Sequence, residues 1–296
     1  MNVGLDIGAT KTLGLVVDGA GVILAEVREA TEPGADGVVR TAARVVEALR
    51  AATGEDLPGP VGIGVPGLVD TKRGAVKHAV NLGVDGDWLP LGDLLGDRLG
   101  VPVVVENDVN AATLGAVALS GEDDLVYLSI GTGLAAGLVL EGRLRRGEHG
   151  AAGEIGHVPV DPSGALCQCG QRGCLETIAS GSALAAAWPS GDVPPAQALF
   201  AAAQSGDPAA VAARDRFADG VASAVRVLAL AVDPRTVVLG GGVAQLGEPL
   251  RVVVAAALRA QAVTSPFLAS LDLAGRLRVV PSDYPVAAVG AAMLGR

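Results

Sequence analysis

The sequence predicts an α/β protein with two related domains. Half of its 296 residues are hydrophobic, yet only 2% are aromatic, and a core of Ala, Val and Leu favours parallel strands buried on both faces. One supersecondary unit, a strand followed by a Gly/Thr loop and a hairpin, occurs near residues 3–27 and again near 125–146. We interpret the two occurrences as copies that face each other across a cleft, in a chain long enough for two ordinary domains.

The first copy begins at the apolar run Val3–Ile7, which predicts a strand running into a tight loop. The turn signal Gly19-Ala20-Gly21 separates two further apolar runs, Leu13–Asp18 and Val22–Val27, and so predicts a hairpin. Apolar residues at helical spacing then predict a helix from about Asp36 to Arg50. Two buried strands and a small-residue helix complete this half: Val61–Val65, Val103–Glu106 and Asn110–Leu119.

The second copy repeats this order. Leu125–Ile130 predicts a strand, Gly131-Thr132-Gly133 a glycine loop, and the turn Glu141-Gly142 a second hairpin, between Leu138–Leu140 and Arg143–Arg145. After a cysteine-rich knob come Ala-rich helices, a strand, a helix, a last strand and a terminal helix: His157–Cys174, residues up to about Val232, Thr236–Leu239, Glu248–Ala262, Arg276–Pro281 and Ala287–Leu294.

Composition argues against several classes of partner. The 22 basic and 32 acidic residues give a net charge of −10, which argues against nucleic acid or an anionic membrane and offers no basic track for polyphosphate. The start of the sequence has no apolar signal region and charges interrupt the apolar stretches, so we expect a cytoplasmic protein. With only three lysines, a phosphate site must depend on backbone N–H groups, arginine and metal.

Two loops have the composition of a phosphate site. In the first, Asp6 to Lys11, a glycine and a hydroxyl residue after a strand can direct N–H groups at phosphate oxygens while the carboxylate holds Mg²⁺. The alternative is an ordinary β-turn with an aspartate cap. The second loop, Gly131-Thr132-Gly133, occupies the matching place in the second copy, and two such loops would hold the phosphate chain of a nucleotide from both sides.

The triplet Glu106-Asn107-Asp108 lies at the carboxyl end of a predicted buried strand, where α/β sheets place their ligands. Asp108 can accept a proton from a hydroxyl group, and Asn107 offers a donor and an acceptor to neighbouring sugar hydroxyls. The alternative is that Asn107 or Asp108 merely caps the helix that follows.

Four residues predict a metal centre. The three cysteines, Cys167, Cys169 and Cys174, follow His157 within one short segment. Three thiolates and one imidazole form a tetrahedral Zn²⁺ set that is closed to water and therefore structural. Free cysteines in a loop are the alternative, against which nearby glycines supply tight turns. The two remaining histidines have no such neighbours and are expected at the surface.

Together these motifs resemble those of the ROK family (repressors, open reading frames and sugar kinases), within the hexokinase–actin–Hsp70 superfamily. The similarity covers essentially the whole chain. Its motifs are DIGATK at 6–11, GIGVPGLVD at 62–70, NL at 81–82, ENDVNAA at 106–112, GTGLAAGLVLEGRLRRG at 131–147, GEIGH at 153–157, CQCGQRGCLE at 167–176 and LGGGV at 239–243.

The resemblance implies two RNase H-like domains of the actin-like ATPase type with an interdomain cleft. The first would comprise about residues 1–115 together with a C-terminal helix at about 283–296, and the second residues 116–282, with the zinc knob and the adenosine pocket. The resemblance further implies ATP-dependent phosphorylation of a hexose, with Mg²⁺ and a structural Zn²⁺ as cofactors, by a homodimer or higher homo-oligomer.

The same resemblance assigns roles to individual residues. Asp108 resembles the general base of the family, and His157 resembles a zinc ligand that also reaches the sugar. The implied sugar ligands are Asn107, Glu154, His157, Glu176, Gly67 and Asn81. The implied nucleotide ligands are Asp6, Gly8, Thr10 and Lys11 in the first loop, Gly131, Thr132 and Gly133 in the second, and Gly240, Gly241 and Gly242 beside the adenosine.

Two departures from the usual loops of the family concern the nucleotide. Ala9 stands where the first loop usually has glycine, and Leu134-Ala135-Ala136 stands where the second usually continues glycine-rich. At a position that requires a positive φ, alanine would cost about 1 kcal/mol.

The resemblance leaves the acceptor open. We expect glucose, with N-acetylmannosamine, N-acetylglucosamine and fructose as alternatives. A sugar-sensing protein without kinase activity is the alternative from another class. Repressors of the family carry a helix-turn-helix module ahead of the first phosphate loop, and here that loop starts at residue 6.

Overall fold

The computed structural model describes residues 1–57 and 59–295, and the chain folds into two compact units. Unit 1 comprises Met1–Asp123, Gly142–Ala151 and Pro285–Arg296, and unit 2 comprises Asp124–Glu141 and Ala152–Tyr284. The sequence placed the first boundary at residue 115 and assigned 142–151 to the second domain. The first difference arises because the helix that begins at Asp108 continues to Ser120. Arg296, at the end of the expected terminal segment, lies outside the described residues.

In chain order the strands are β1 Asn2–Ile7, β2 Lys11–Val17, β3 Ile23–Ala30, β4 Val61–Val65, β5 Leu68–Asp70, β6 Ala75–Lys77, β7 Val103–Asn107, β8 Leu125–Ile130, β9 Leu134–Leu140, β10 Arg143–Leu144, β11 Thr236–Gly240 and β12 Leu277–Val279. The helices are α1 Ala35–Thr53, α2 Leu91–Leu99, α3 Asp108–Ser120, α4 Glu176–Ala179, α5 Gly181–Ala187, α6 Pro195–Gln204, α7 Pro208–Val232, α8 Glu248–Ala262, α9 Pro266–Ser270 and α10 Val286–Met293. Short 3₁₀ turns lie at Val80–Leu82, Ile155–His157 and Gly242–Leu246. None of the helices in the described ranges combines the length and the apolar character that crossing a membrane requires.

The sheet of unit 1 has the strand order β3-β2-β1-β4-β7. β1 pairs antiparallel with β2, whereas β1, β4 and β7 run parallel to one another. The carboxyl ends of parallel strands meet at one edge of a sheet. Asp6, Gly64 and Glu106 therefore lie in register across three neighbouring strands.

The last helix of the chain, α10, lies directly against the backbone of unit 1. A Cβ on Gly62 in β4 would overlap the carbonyl of Ala291, and a Cβ on Gly115 in α3 would overlap the carbonyl of Val286. Such contacts leave no room for side chains between the elements. The C-terminal helix is therefore part of the core of unit 1.

Unit 2 repeats this strand arrangement. β9, β8, β11 and β12 lie side by side in that order, with β8 antiparallel to β9 and parallel to β11, which in turn is parallel to β12. The strands β2, β1, β4 and β7 of unit 1 have the same order and directions. The duplication predicted from the sequence is therefore present in the topology, and the prediction of two α/β domains is confirmed.

Most predicted elements agree with the structure, and β4, β8 and α8 have the predicted bounds. β9 begins at Leu134 rather than at Leu138, so the second loop is limited to residues 131–133. The sequence did not reveal α2, α9 or the β5–β6 hairpin. α2 was missed because Gly92 and Gly96 lower its helix propensity.

We predict that Gly62→Ala destabilises the protein by about 3 kcal/mol or prevents folding, because the added methyl group would overlap helix backbone rather than a flexible side chain. Gly19→Ala is the control, since an added Cβ there has no neighbour within 4 Å. Chemical denaturation of both variants and the parent measures the difference. Equal stability of the two variants would show that α10 does not lie on β4.

Candidate functional site

Asn107 is the N-cap of α3. Its Oδ1 accepts the N–H groups of Val109 and Asn110 at 2.9 and 3.2 Å. Its Nδ2 donates to the carbonyl of Gly67 at 3.2 Å, which leaves the second N–H of the amide for a ligand. The capping interpretation is correct for Asn107, and any contact it makes with a sugar is through that donor.

Asp108 and Asp6 are close enough to repel each other. Asp108 is the first residue of α3, where the helix dipole stabilises a negative charge. Desolvation and then the charge of Asp108 raise the pKa of Asp6 from 3.8 to about 6, while Lys11 opposes the shift. A divalent cation between two such carboxylates would remove their repulsion. The pair therefore fits the Mg²⁺ role assigned to Asp6.

The loop after β1 is a tight turn. The N–H of Gly8 donates to the carbonyl of Lys11 at 2.9 Å, and a Cβ on Gly8 would lie only 3.3 Å from that carbonyl oxygen. The N–H of Gly8 is therefore occupied within the loop. Thr10 and Lys11 are exposed and are the side chains of this loop that can reach a phosphate.

The alanines that replace glycine cause no backbone strain. Ala9, Ala135 and Ala136 are not among the described residues with a positive φ. Ala135 and Ala136 lie on β9, paired with β8. The cost of about 1 kcal/mol that a positive φ would impose therefore does not arise.

The second loop, Gly131–Gly133, is held by the residues that begin α4 and α5. The N–H of Gly181 donates to the carbonyl of Gly131 at 2.7 Å. Oε2 of Glu176 accepts the N–H of Leu134 at 3.1 Å, and a Cβ on Gly133 would overlap this carboxylate. Glu176, assigned to the sugar, is therefore bonded to the chain at the end of the phosphate loop, a contact that the sequence did not reveal.

The turn after β11 requires glycine at two of its three positions. A Cβ on Gly240 would overlap the ring of Tyr127. Gly241 has a φ of 82°, and its N–H donates to the Tyr127 hydroxyl at 3.1 Å. Nothing lies within 4 Å of a Cβ added to Gly242. The tyrosine thus fixes the turn assigned to the adenosine, a role that no local pattern indicated.

The four predicted metal ligands come together. Their ligand atoms all lie within 4.8 Å of one another. Nδ1 of His157 is 3.7 Å from Sγ of Cys167, and the sulfurs of Cys169 and Cys174 are 3.7 Å apart. In a tetrahedral zinc site with Zn–S bonds of about 2.3 Å, the ligand atoms are separated by about 3.5–3.8 Å. The geometry fits zinc.

Charge also favours a cation in this cluster. Hydrogen bonds from Gln171 lower the pKa of Cys169 to about 6. Burial, followed by the neighbouring thiols, raises the pKa of Cys174 to about 12. Crowded thiols hinder one another's ionisation, whereas a shared metal ion deprotonates coordinating thiols outright. Free cysteines are therefore the poorer interpretation of this segment.

The two nitrogens of His157 face different groups. Nδ1 faces the sulfur of Cys167, whereas Nε2 lies 3.9 Å from Oε2 of Glu154, whose side chain is 55% exposed. A metal bound at Nδ1 would therefore leave Nε2 beside a second predicted sugar ligand. His78 and His149, expected at the surface, are both exposed.

The remaining sugar ligands implied by resemblance, Gly67 and Asn81, lie in unit 1. Gly67 has a φ of 105°, and a Cβ there would lie 2.7 Å from the carbonyl of Lys77. Asn81 is exposed in the 3₁₀ turn Val80–Leu82. Gly67 is tied to the first turn of α3 through the hydrogen bond from Asn107.

Sequence reasoning gave no role to Glu106 and Arg146. Oε2 of the buried Glu106 accepts Nε of Arg146 at 2.6 Å. The sequence did contain a signal for Glu106, because a charged residue within an apolar strand is buried and a buried carboxylate needs a partner. The identity of that partner was not predictable, since Arg146 lies in a separate segment of unit 1.

The structure combines two α/β units of equal topology with a glycine loop after the first strand of each unit. The second unit also carries the Cys₃His knob. The sequence profile of the ROK family matches residues 2–294. The chain belongs to the ROK family.

Three relatives indicate where the chain lies within the family. It is 38% identical to the glucokinase of Thermotoga maritima over 272 residues, 84% of each chain. It is 33% identical to the N-acetylmannosamine kinase of Yersinia pseudotuberculosis over 255 residues, 85% of this chain and 86% of the relative. The crystal structure of a ROK family glucokinase from Streptomyces griseus in complex with glucose and AMPPNP is 35% identical, with a TM-score of 0.81 over 100% of this chain and 99% of that one. The last similarity confirms the actin-like ATPase fold.

We predict that Asp6→Asn stabilises the protein in the absence of Mg²⁺ and nucleotide. Because the pKa of Asp6 is about 6 in the folded state against 3.8 ordinarily, the folded state binds its proton more tightly. The resulting stability is complete below the lower value and is lost as the pH rises through about 6. Well above pH 6 the variant should exceed the parent by on the order of 3 kcal/mol.

Unfolding curves measured across this pH range check the prediction. The advantage of Asp6→Asn should disappear as the pH falls toward the ordinary value of 3.8. Asp87→Asn, at an exposed aspartate of the same unit, should show no such trend. An advantage of Asp6→Asn that does not depend on pH would contradict the assigned titration.

Proposed function

We propose that this protein is a sugar kinase that transfers the γ-phosphoryl group of ATP to a hexose, converting glucose to glucose 6-phosphate. The observation that carries the proposal is the position of Asp108 at the N-terminus of α3, beside Asp6 of the first glycine loop. Phosphoryl transfer to a hydroxyl needs a base next to a cation site. The glucokinase relatives support glucose as the acceptor.

In the proposed reaction Asp108 accepts the proton of the attacking hydroxyl. The hydroxyl oxygen forms a bond to the γ-phosphorus as the bond to the leaving ADP breaks. Mg²⁺ held by Asp6 would neutralise charge on the phosphate oxygens. The proposed nucleotide contacts are Thr10, Lys11, Gly131–Gly133 and Gly240–Gly242. A base of this kind contributes about 10²–10⁴ in rate, and positioning and electrostatics supply the rest.

The residues proposed for the sugar all offer hydroxyl-binding groups. They are the second N–H of Asn107, the side chain of Asn81, the backbone at Gly67, the carboxylates of Glu154 and Glu176, and the Nε2 of His157. Carboxylates and imidazole accept or donate hydrogen bonds as sugar hydroxyls require.

We further propose that His157, Cys167, Cys169 and Cys174 hold one Zn²⁺ ion. The four ligands fill a tetrahedral site, so this metal would not bind substrate or activate water. It would instead fix His157 and, two residues after Cys174, Glu176. The zinc is therefore structural but supports two of the proposed sugar ligands.

N-acetylmannosamine, N-acetylglucosamine and fructose offer hydroxyls similar to those of glucose and are the alternative phosphoryl acceptors. The N-acetylmannosamine kinase relative favours the first of these as the second candidate. A sugar-binding protein without kinase activity is the candidate of another class. An assay of ADP production with ATP and a panel of hexoses and N-acetylhexosamines separates a glucose kinase, an N-acetylmannosamine kinase and a protein without kinase activity.

We place the protein in the cytoplasm, where ATP is available and thiols stay reduced for metal binding. A homodimer or higher homo-oligomer is the proposed assembly, by resemblance to the family. Sedimentation of the purified protein tests the assembly directly.

We predict that Asp108→Asn lowers kcat by about 10²–10⁴ while sugar binding changes by only a few-fold. The amide preserves shape and hydrogen bonding but accepts no proton at neutral pH. Asp36→Asn, in the first turn of α1, is the control for loss of a carboxylate at a helix start. An Asp108→Asn variant with nearly the parent kcat would show that Asp108 is only a helix-start residue.

We predict that Cys169→Ala loses zinc, raises the sugar KM and lowers the melting temperature, while nucleotide affinity changes less than sugar affinity. The reason is that the cluster holds His157 and Glu176 directly, whereas it is linked to the second glycine loop only through the bond between Glu176 and Leu134. Leu166→Ala, at a 65% exposed position of the same knob, should keep its zinc and its KM. Elemental analysis followed by sugar and nucleotide titrations measures these effects. Full activity in metal-free protein would refute the supporting role.

A further inference from the structure

Glu106 is a buried carboxylate with three hydrogen bonds and an ion pair. The residue is 1% exposed, and a charge in such a place requires donors on both oxygens. Oε1 accepts the N–H of Asn107 and Nδ2 of Asn110, each at 3.0 Å. Oε2 accepts Nε of Arg146 at 2.6 Å, and Nη2 of the same guanidinium lies 2.6 Å from this oxygen in an ion pair. The group is therefore fully satisfied by elements of unit 1.

The two donors on Oε1 belong to the first turn of α3. Asn107 is the N-cap of this helix and Asn110 is its third residue, with Asp108 between them. Asn107 in turn accepts the N–H groups of Val109 and Asn110. The turn that carries Asp108 is thus fixed from both sides, by its own cap and by Glu106.

The donors on Oε2 determine how the carboxylate of Glu106 is turned. Both nitrogens of the fork of Arg146 bind the same oxygen, which leaves Oε1 directed at α3. Arg146 comes from the segment Gly142–Ala151 and its side chain is 41% exposed. A lysine has a single donor atom and does not reproduce this geometry.

We infer that Glu106 and Arg146 are a positioning pair for the base Asp108, an inference that rests on the proposed kinase function. Neither side chain needs to touch substrate. If Arg146 releases Oε2, the carboxylate can rotate, and the bonds to Asn107 and Asn110 weaken. Displacement of a catalytic group by about 1 Å costs up to about 10² in rate.

The test compares Arg146→Lys with the parent and with Arg44→Lys. Arg44 is as exposed as Arg146 but makes its ion pairs with Glu29 and Glu32, whose side chains are far more exposed than that of Glu106. Its replacement therefore controls for the loss of a guanidinium. Arg146→Lys keeps the positive charge that the buried carboxylate needs. We expect its kcat to fall by about 10- to 100-fold with both KM values within about threefold of the parent. Arg44→Lys should match the parent.

A second readout does not depend on catalysis. Hydrogen exchange at the amides of Val109 and Asn110 should be faster in Arg146→Lys than in the parent and in Arg44→Lys. In Arg146→Ala, millimolar guanidinium should restore part of kcat because the lost group was partly exposed, whereas methylammonium should not. Loss of overall packing would give no such selective recovery.

Three results would overturn the inference: a parent-like kcat in Arg146→Lys, an increase in sugar KM without a fall in kcat, or unchanged exchange at both amides. A parent protein that phosphorylates no sugar would instead refute the proposed function. An active parent with an equally active Arg146→Lys would refute only the positioning pair.

Discussion

Strand β4 has glycine at two of its five positions, and at each glycine a helix packs directly against the backbone of the strand. Gly62 makes room for α10, and a Cβ on Gly64 would lie 3.1 Å from Cβ of Ala111 in α3. Because β4 lies between β1 and β7, this close packing holds the start of α3 over the sheet edge where β1 ends, one residue after Asp6. The repulsion between Asp6 and Asp108 and the bonds of Glu106 all depend on that approach.

The chain concentrates negative groups in three places, and each suits a different cation. The oxygens of Asp6 and Asp108 suit a hard divalent ion such as Mg²⁺. The thiols of the knob suit zinc. Glu106 is neutralised instead by a side chain of the protein, Arg146, with fixed geometry. The nature of the donor atoms thus separates two candidate metal sites from one internal ion pair.

Local patterns account for what the sequence predicted correctly. The strands β4 and β8 are short apolar runs with clear ends, and the four side chains of the Cys₃His cluster, which the structure brings together, lie within one segment. The sequence assigned Gly142–Ala151 to the second domain, whereas the structure places this segment in unit 1. The segment contacts unit 1 through pairs such as Glu106 and Arg146, which are distant in the sequence and which no local pattern reveals. The bond between Glu176 and Leu134 was hidden for the same reason. At Asn107 the sequence offered helix capping and ligand binding as alternatives, whereas one amide can cap the helix through its oxygen and bind a ligand through its nitrogen.

The path of the chain between the units has a consequence for synthesis on the ribosome. Unit 2 is complete once Tyr284 has been made, whereas unit 1 lacks α10 until Val286–Met293 has been added. Without that helix the backbone at Gly4 and Gly62 has lost its packing partner. The domain that is begun first is therefore finished after the other, and until α10 is made the exposed part of its sheet is a surface for chaperones to protect.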